Sequence, residues 1–133
     1  KAYGSRHPVS EPLADPEMVY MHINGREVYQ LAVRRIVELV NDCMEKCHLT
    51  IDDISMFIPH QMNARIIESV GKRLKFTDEK IFINIHKYGN TSAASIPIAM
   101  TEAFESGLLK EGMLIGMVAF GSGFTWGSAL LRW

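Results

Sequence analysis

Apolar residues recur at three- and four-residue intervals through Val28, Leu31, Ala32, Ile36, Leu39, Val40, Cys43 and Cys47. That spacing puts them along one side of a helix, with Arg26, Arg34, Arg35, Glu38 and Asp42 largely on the other. Asn24 stands at the N-cap position, with Glu27 three residues on, so the pattern predicts a long amphipathic helix to about Lys46. Thr50 and Asp53 then predict one capped turn. Ile54-Ser55-Met56-Phe57-Ile58 predicts a strand stopped by Pro59. A second helical repeat, Ile67, Val70, Gly71 and Leu74, predicts a helix from about Asn63 to Leu74. After a turn over Thr77 to Lys80, the β-branched run Ile81-Phe82-Ile83 reads as a short strand.

The pattern changes beyond Gly89. Thr91 and Ser92 offer N-caps to a stretch with almost no polar face until Thr101-Glu102, ending near Gly107. A helix apolar all round belongs inside a core, so Asn90 is predicted at the mouth of a buried helix. Met113 to Phe120 is continuously apolar, as in a strand covered on both faces. Gly121-Ser122-Gly123 makes a tight turn, and Phe124 to Trp133 a last strand. At the other end, Pro8, Pro12 and Pro16 mark residues 1–17 as a linker or surface loop, and Met18 to Ile23 reads as a strand. The resulting order is β-α-β-α-β-α-β-β. It predicts one α/β domain over 18–133, with helices on both faces of a five-stranded, mostly parallel sheet closed by an antiparallel edge hairpin.

Composition narrows the classes. The 133 residues suit one domain, and a net charge of −1 gives no global field for nucleic acid or a membrane surface. No uncharged apolar run is long enough to span a bilayer, and no secretory-leader pattern is present. A first residue of Lys rather than Met points to a piece of a longer polypeptide. Cys43 and Cys47, four apart in a helical repeat, form no metal-ligand pattern and are expected to pack as small apolar residues. With no disulfide framework, a cytoplasmic setting is expected. His7, His22, His48 and His86 show no metal-ligand spacing, so no metal is expected.

The candidate chemistry lies where loops meet. In open α/β sheets, ligands bind outside the carboxyl ends of parallel strands. His60 follows one strand, Asn90 another, and Gly121-Ser122-Gly123 a third. Alone, each is ordinary: such a His is most often structural, and a Gly-Ser-Gly turn is usually a hairpin. On one sheet edge, an imidazole, an amide and a run of backbone N–H groups can together stabilise an oxygen gaining negative charge, as in thioester or acyl chemistry. Such chemistry also needs a nucleophile, and Cys43 and Cys47 sit mid-to-late in a helix, where no thiolate is favoured.

Three segments carry a resemblance: Pro59-His60-Gln61-Met62-Asn63, Gly89-Asn90-Thr91-Ser92-Ala93-Ala94-Ser95, and Ala119-Phe120-Gly121-Ser122-Gly123-Phe124-Thr125-Trp126-Gly127-Ser128-Ala129. In order and spacing they resemble the C-terminal half of the β-ketoacyl-[acyl carrier protein] synthase III family, from about Asn24 onward. The resemblance implies one half of a thiolase-like fold, with residues 1–17 joining it to the other half. It implies condensation of an acyl-CoA primer, acetyl-CoA foremost, with malonyl-acyl carrier protein, the step that starts fatty acid synthesis. His60 and Asn90 would then be catalytic, completed by a cysteine from the N-terminal half. Phe120, Gly121, Ser122 and Gly123 would form the active-site loop, with the Ser122 N–H as half of an oxyanion hole. Gly25, Asn63 and Ile66 would line a CoA tunnel. Arg65, Lys72 and Arg73 would dock the acidic carrier protein, although Lys72 and Arg73 read equally well as a solvated helix face. No cofactor is implied, since CoA thioester is substrate. A homodimer of the full enzyme is implied. Two other readings stay open: a thiolase-fold acyltransferase with a different acceptor, and a non-catalytic interaction or dimerisation module.

Overall fold

The structure, a computed structural model, describes residues 24–133. The linker expected over 1–17 and the strand expected over 18–23 lie outside the described residues.

Helix α1 (Gly25–Lys46) opens as its cap predicts: the Asn24 side-chain oxygen accepts the Glu27 N–H at 3.4 Å. Its buried stripe is Ala32, Val33, Ile36, Val40 and Met44. The expected face is therefore rotated, bringing Val33 and Met44 inside. Cys43 is half-buried, and Cys47 is exposed rather than packed, because the helix ends at Lys46 and leaves Cys47 as its C-cap. The Thr50 turn forms as a 3-10 turn over Ile51–Asp53, with the Thr50 N–H and hydroxyl donating to Asp53 Oδ2 at 2.7 and 2.8 Å.

Strand β1 (Met56–Pro59) leads into α2 (Ala64–Leu74), whose buried residues are Ile66, Ile67, Val70, Gly71 and Leu74. A one-turn helix α3 (Ile85–Tyr88) and a longer α4 (Ser95–Glu105) precede β2 (Leu114–Gly121) and β3 (Thr125–Arg132). The sheet order is β1-β2-β3. β1 runs parallel to β2, Met56 opposite Ile115; β2 runs antiparallel to β3, from Leu114 opposite Arg132 to Gly121 opposite Thr125. Alternation along the strands sorts the core into two layers. Phe57, Val118 and Phe120 pack with the inner sides of α1 and α2, whereas Met56, Ile58 and Ile115 pack with Ala99 and Ala103 of α4. Helices on both faces and the antiparallel edge hairpin are as expected.

The five-stranded sheet is not. Three strands form among the described residues, and Ile81-Phe82-Ile83 makes only an isolated parallel bridge, Phe57 to Ile81. The expected strand over 18–23 lies outside the described residues; for Ile81-Phe82-Ile83 the reason is a side chain. Gln61 Nε2 donates to the carbonyls of Pro59 (2.8 Å) and Phe82 (3.2 Å), and Gln61 Oε1 accepts the N–H groups of Asn84 (2.9 Å) and Ile85 (3.2 Å). One amide does the pairing that a longer ladder would do, and the chain turns into α3.

Helix α4 also departs from expectation. It buries Ser95, Ala99 and Ala103, while Ala94, Pro97 and Phe104 are exposed. It starts at Ser95, after a 3-10 turn over Ser92–Ala94, and neither Thr91 nor Ser92 caps it by side chain. Ser92 has φ 52°, a left-handed conformation outside the range of an N-cap.

Candidate active site

His60 leaves the carboxyl end of β1, held by its own N–H donating to the Val118 carbonyl at 2.7 Å. The ring is half-buried, and its Nδ1 lies 2.5 Å from Ser95 Oγ. Ser95, the first residue of α4, is 2% exposed and also accepts the Gln61 N–H at 3.2 Å. Burial pushes the imidazole below its ordinary pKa, which favours the neutral ring.

Asn90 is not buried. It is exposed, and its side-chain oxygen accepts the Ser92 N–H at 3.0 Å, an Asx turn that fixes the loop entering α4. The hairpin joining β2 to β3 is the three-residue loop Ser122-Gly123-Phe124, in which the Thr125 hydroxyl donates to the Ser122 carbonyl at 3.1 Å. Gly123 has φ 128°, a conformation open to glycine. The end of β2 is packed in aromatics: the Phe120 ring lies 5.5 Å from Phe124 and 6.2 Å from Trp126, nearly parallel to the latter. The Arg35 guanidinium sits 5.1 Å from the Trp126 ring centre.

These segments border one open cleft of about 1710 Å³. His60, Asn90, Phe120, Gly121, Ser122 and Gly123 line it, although they come from three separate stretches of chain. Gly25, Asn63, Arg65 and Ile66 form another part of its wall. Lys72 and Arg73 are not part of it; both are exposed in the last turn of α2. Ile66 is placed by the cap at Asn63, whose side-chain oxygen accepts the N–H groups of Arg65 (2.9 Å) and Ile66 (3.4 Å). Among the described residues, no group of three or more His, Cys, Asp or Glu side chains could hold a metal ion.

A buried polar set behind the cleft escapes the sequence reading. Gln61, Asn84 and Ser95 are each 1–2% exposed. Asn84 Nδ2 donates to Glu102 at 2.8 Å, and Lys87 pairs with the other oxygen of the same carboxylate. These partners, Lys87 first, hold the Glu102 carboxyl below its usual pKa. The available signal was a polar amide at the end of each apolar run, Gln61 two residues after β1 and Asn84 directly after Ile81-Phe82-Ile83.

A parallel strand pair with an antiparallel edge, helices on both faces and a cleft at the carboxyl ends of the strands places the chain in the thiolase-like α/β class. Within it, residues 44–133 match the family model described as 3-oxoacyl-[acyl-carrier-protein] synthase III, C terminal, and the chain belongs to that family. Similar proteins include the beta-ketoacyl-[acyl-carrier-protein] synthase III of Campylobacter fetus, 50% identical over 129 residues, which are 97% of this chain and 39% of that protein. That of Caldanaerobacter subterraneus is 47% identical over 132 residues, 99% of this chain and 40% of the relative. The chain thus spans about two fifths of the length of these curated relatives. Among solved structures, the 3-oxoacyl-[acyl-carrier-protein] synthase III of Aquifex aeolicus superposes with a TM-score of 0.83 at 48% identity, covering 86% of this chain and 37% of that one. The corresponding Thermus thermophilus structure gives 0.81 at 45% identity, covering 84% and 35%.

Proposed function

We propose that this chain supplies the C-terminal part of a decarboxylating Claisen-condensing enzyme. The full enzyme joins an acyl-CoA primer, acetyl-CoA foremost, to malonyl-acyl carrier protein. The observation that supports this most is the shared cleft, in which His60, Asn90 and the Ser122 loop border one space within the fold of the family.

The chemistry follows from that grouping. A cysteine from the N-terminal half takes the acyl group from CoA as a thioester. His60 and Asn90 donate hydrogen bonds to the thioester oxygen of the malonyl group. As the bond to CO2 breaks, its electron pair moves into the thioester as an enolate, and the two donors stabilise the negative oxygen. The enolate carbon then attacks the acyl-cysteine carbonyl, and the tetrahedral oxyanion accepts from the Ser122 N–H. Collapse expels the cysteine thiolate. A neutral His60 suits this role, because it leaves the malonyl carboxylate free of a competing cation, and burial favours that state. The wall formed by Gly25, Asn63 and Ile66 is read as the CoA tunnel, and Arg65 at its mouth, with Lys72 and Arg73 beyond, as the carrier-protein dock.

The test uses the full-length protein. His60→Ala and Asn90→Ala are expected each to lower malonyl decarboxylation about 100-fold or more, with thermal stability within a few degrees of the parent. Retained decarboxylation in both variants overturns the reading and favours an interaction module. Retained decarboxylation without transfer to malonyl-carrier protein in the parent favours an acyltransferase with another acceptor.

A further inference from the structure

The His60 imidazole lining the cleft has two nitrogens, and catalysis by hydrogen-bond donation needs the proton on the one that faces substrate. The surroundings of His60 Nδ1 decide which one carries it. Its neighbour is the hydroxyl of Ser95, 2.5 Å away. That hydroxyl has one proton to give. It already accepts from the Gln61 N–H at 3.2 Å, and Ser95 is 2% exposed. Among the described residues no other acceptor lies within hydrogen-bond distance of Ser95 Oγ. If Nδ1 carried a proton, two donors would point at the serine oxygen, and the serine proton would be buried without a partner.

We infer that Ser95 is a positioning residue for this site: its buried hydroxyl donates to His60 Nδ1 and fixes the ring proton on Nε2, the nitrogen left to donate to a thioester oxygen. The inference rests on the condensing-enzyme reading for the use made of that proton, but not for its location. Ser95 sits at the first position of α4, and Gln61 anchors the same hydroxyl from the other side. The serine oxygen is therefore held by a helix and by the backbone beside His60, which sets the ring plane as well as the tautomer. No other hydroxyl, amide or carboxylate is in hydrogen-bond contact with the ring among the described residues.

The test has two readouts on the full-length protein labelled with 15N-histidine. Long-range proton–nitrogen spectra, with His60 assigned by the loss of its signals in His60→Gln, are expected to show a neutral ring protonated on Nε2. Ser95→Ala is expected to shift population toward the Nδ1 proton and to lower kcat for malonyl decarboxylation about tenfold, with KM changed by less than about twofold. Ser95→Thr, which keeps the hydroxyl, is expected to restore the Nε2 proton and most of the rate. A parent ring protonated on Nδ1, or a Ser95→Ala variant that keeps both its tautomer and its rate, overturns the inference. Because the parent spectrum does not depend on Ser95→Ala, misfolding of that variant does not leave the question undecided. If His60→Ala retained decarboxylation, the condensing-enzyme reading would fail, while the spectra would still report on Ser95 independently.

Discussion

Gln61 uses both ends of one amide to hold β1 to the segment leading into α3. Its donors serve the carbonyls of Pro59 and Phe82, and its oxygen serves the N–H groups of Asn84 and Ile85. Gln61→Ala strands those groups in the interior and leaves a cavity. It is expected to lower unfolding free energy by about 3 kcal/mol, seen as a lower urea midpoint with unchanged slope. Gln61→Glu separates geometry from charge. A carboxylate keeps the acceptor but turns an oxygen toward two carbonyls, so this variant is expected to recover stability as pH falls and the carboxyl protonates. His60 acts on stability in the opposite sense. Burial holds its native pKa below the ordinary value, so between those two pKa values the unfolded chain binds more protons than the folded one. Its contribution to stability is therefore full above the ordinary histidine pKa and falls as pH drops through that value toward the native one. His60→Gln is expected to flatten that part of a stability-against-pH curve; an unchanged slope would assign it to another group.

At the scale of elements, α2 shows how one side chain serves two demands. Asn63 caps the helix by accepting two N–H groups, and it also lines the cleft. Asn63→Asp keeps the cap and Asn63→Ala removes it, so only the latter is expected to cost about 1 kcal/mol in denaturation. If the residue also contacts CoA, both changes should raise KM for acyl-CoA. Gly71, on the inner side of the same helix, would place a Cβ against Ile81 Cδ1, the free end of a half-buried side chain that would have to move. Gly71→Ala is expected to be near neutral in denaturation, with helix propensity gaining about what displacing the Ile81 methyl loses, and Ile81→Val should make the change stabilising by up to about 1 kcal/mol. These elements also show what could be read from the chain. The cap at Asn24 and the apolar repeat of α2 are local, and they appear where the residues predict; the α1 repeat gives the helix but with its buried face rotated. The third strand and the all-round burial of α4 are not local properties. A β-branched triplet becomes a strand only if a neighbour offers a full ladder, and Gln61 offers an amide instead. An apolar helix shows its outer face or hides it according to what packs there. The cleft positions of His60 and the Ser122 loop were legible because the ends of β1 and β2 fix them, whereas Asn90 reaches the cleft from the loop after α3 and not from the strand end its sequence suggested. The Ser95 contact was not, because α4 delivers it from 35 residues away.

At the scale of the whole molecule, apolar side chains stay exposed among the described residues. Phe104 is 56% exposed, Tyr88 50%, Leu108 48% and Phe124 50%, and the Phe104 ring lies 5.7 Å from that of Trp133. Fully burying one side chain of this size contributes roughly 1.5–3 kcal/mol, so several such exposed residues favour association. The relatives are about two and a half times longer, so we propose that these exposed side chains meet the part of the protein this chain does not include. The 133-residue chain studied alone is therefore expected to associate with rising concentration in sedimentation velocity and to bind a hydrophobic dye. Phe104→Asp with Leu108→Ser should weaken both effects without lowering the unfolding midpoint, because each side chain is about half exposed and adds little to the core. Adding the segment that precedes this chain in the longer relatives should suppress dye binding in the parent and fail to do so in the double variant, since the same residues would form the joint. A chain that stays monomeric and takes up no dye at high concentration would remove these exposed side chains as an interface, and with it the physical argument that this half is completed by another.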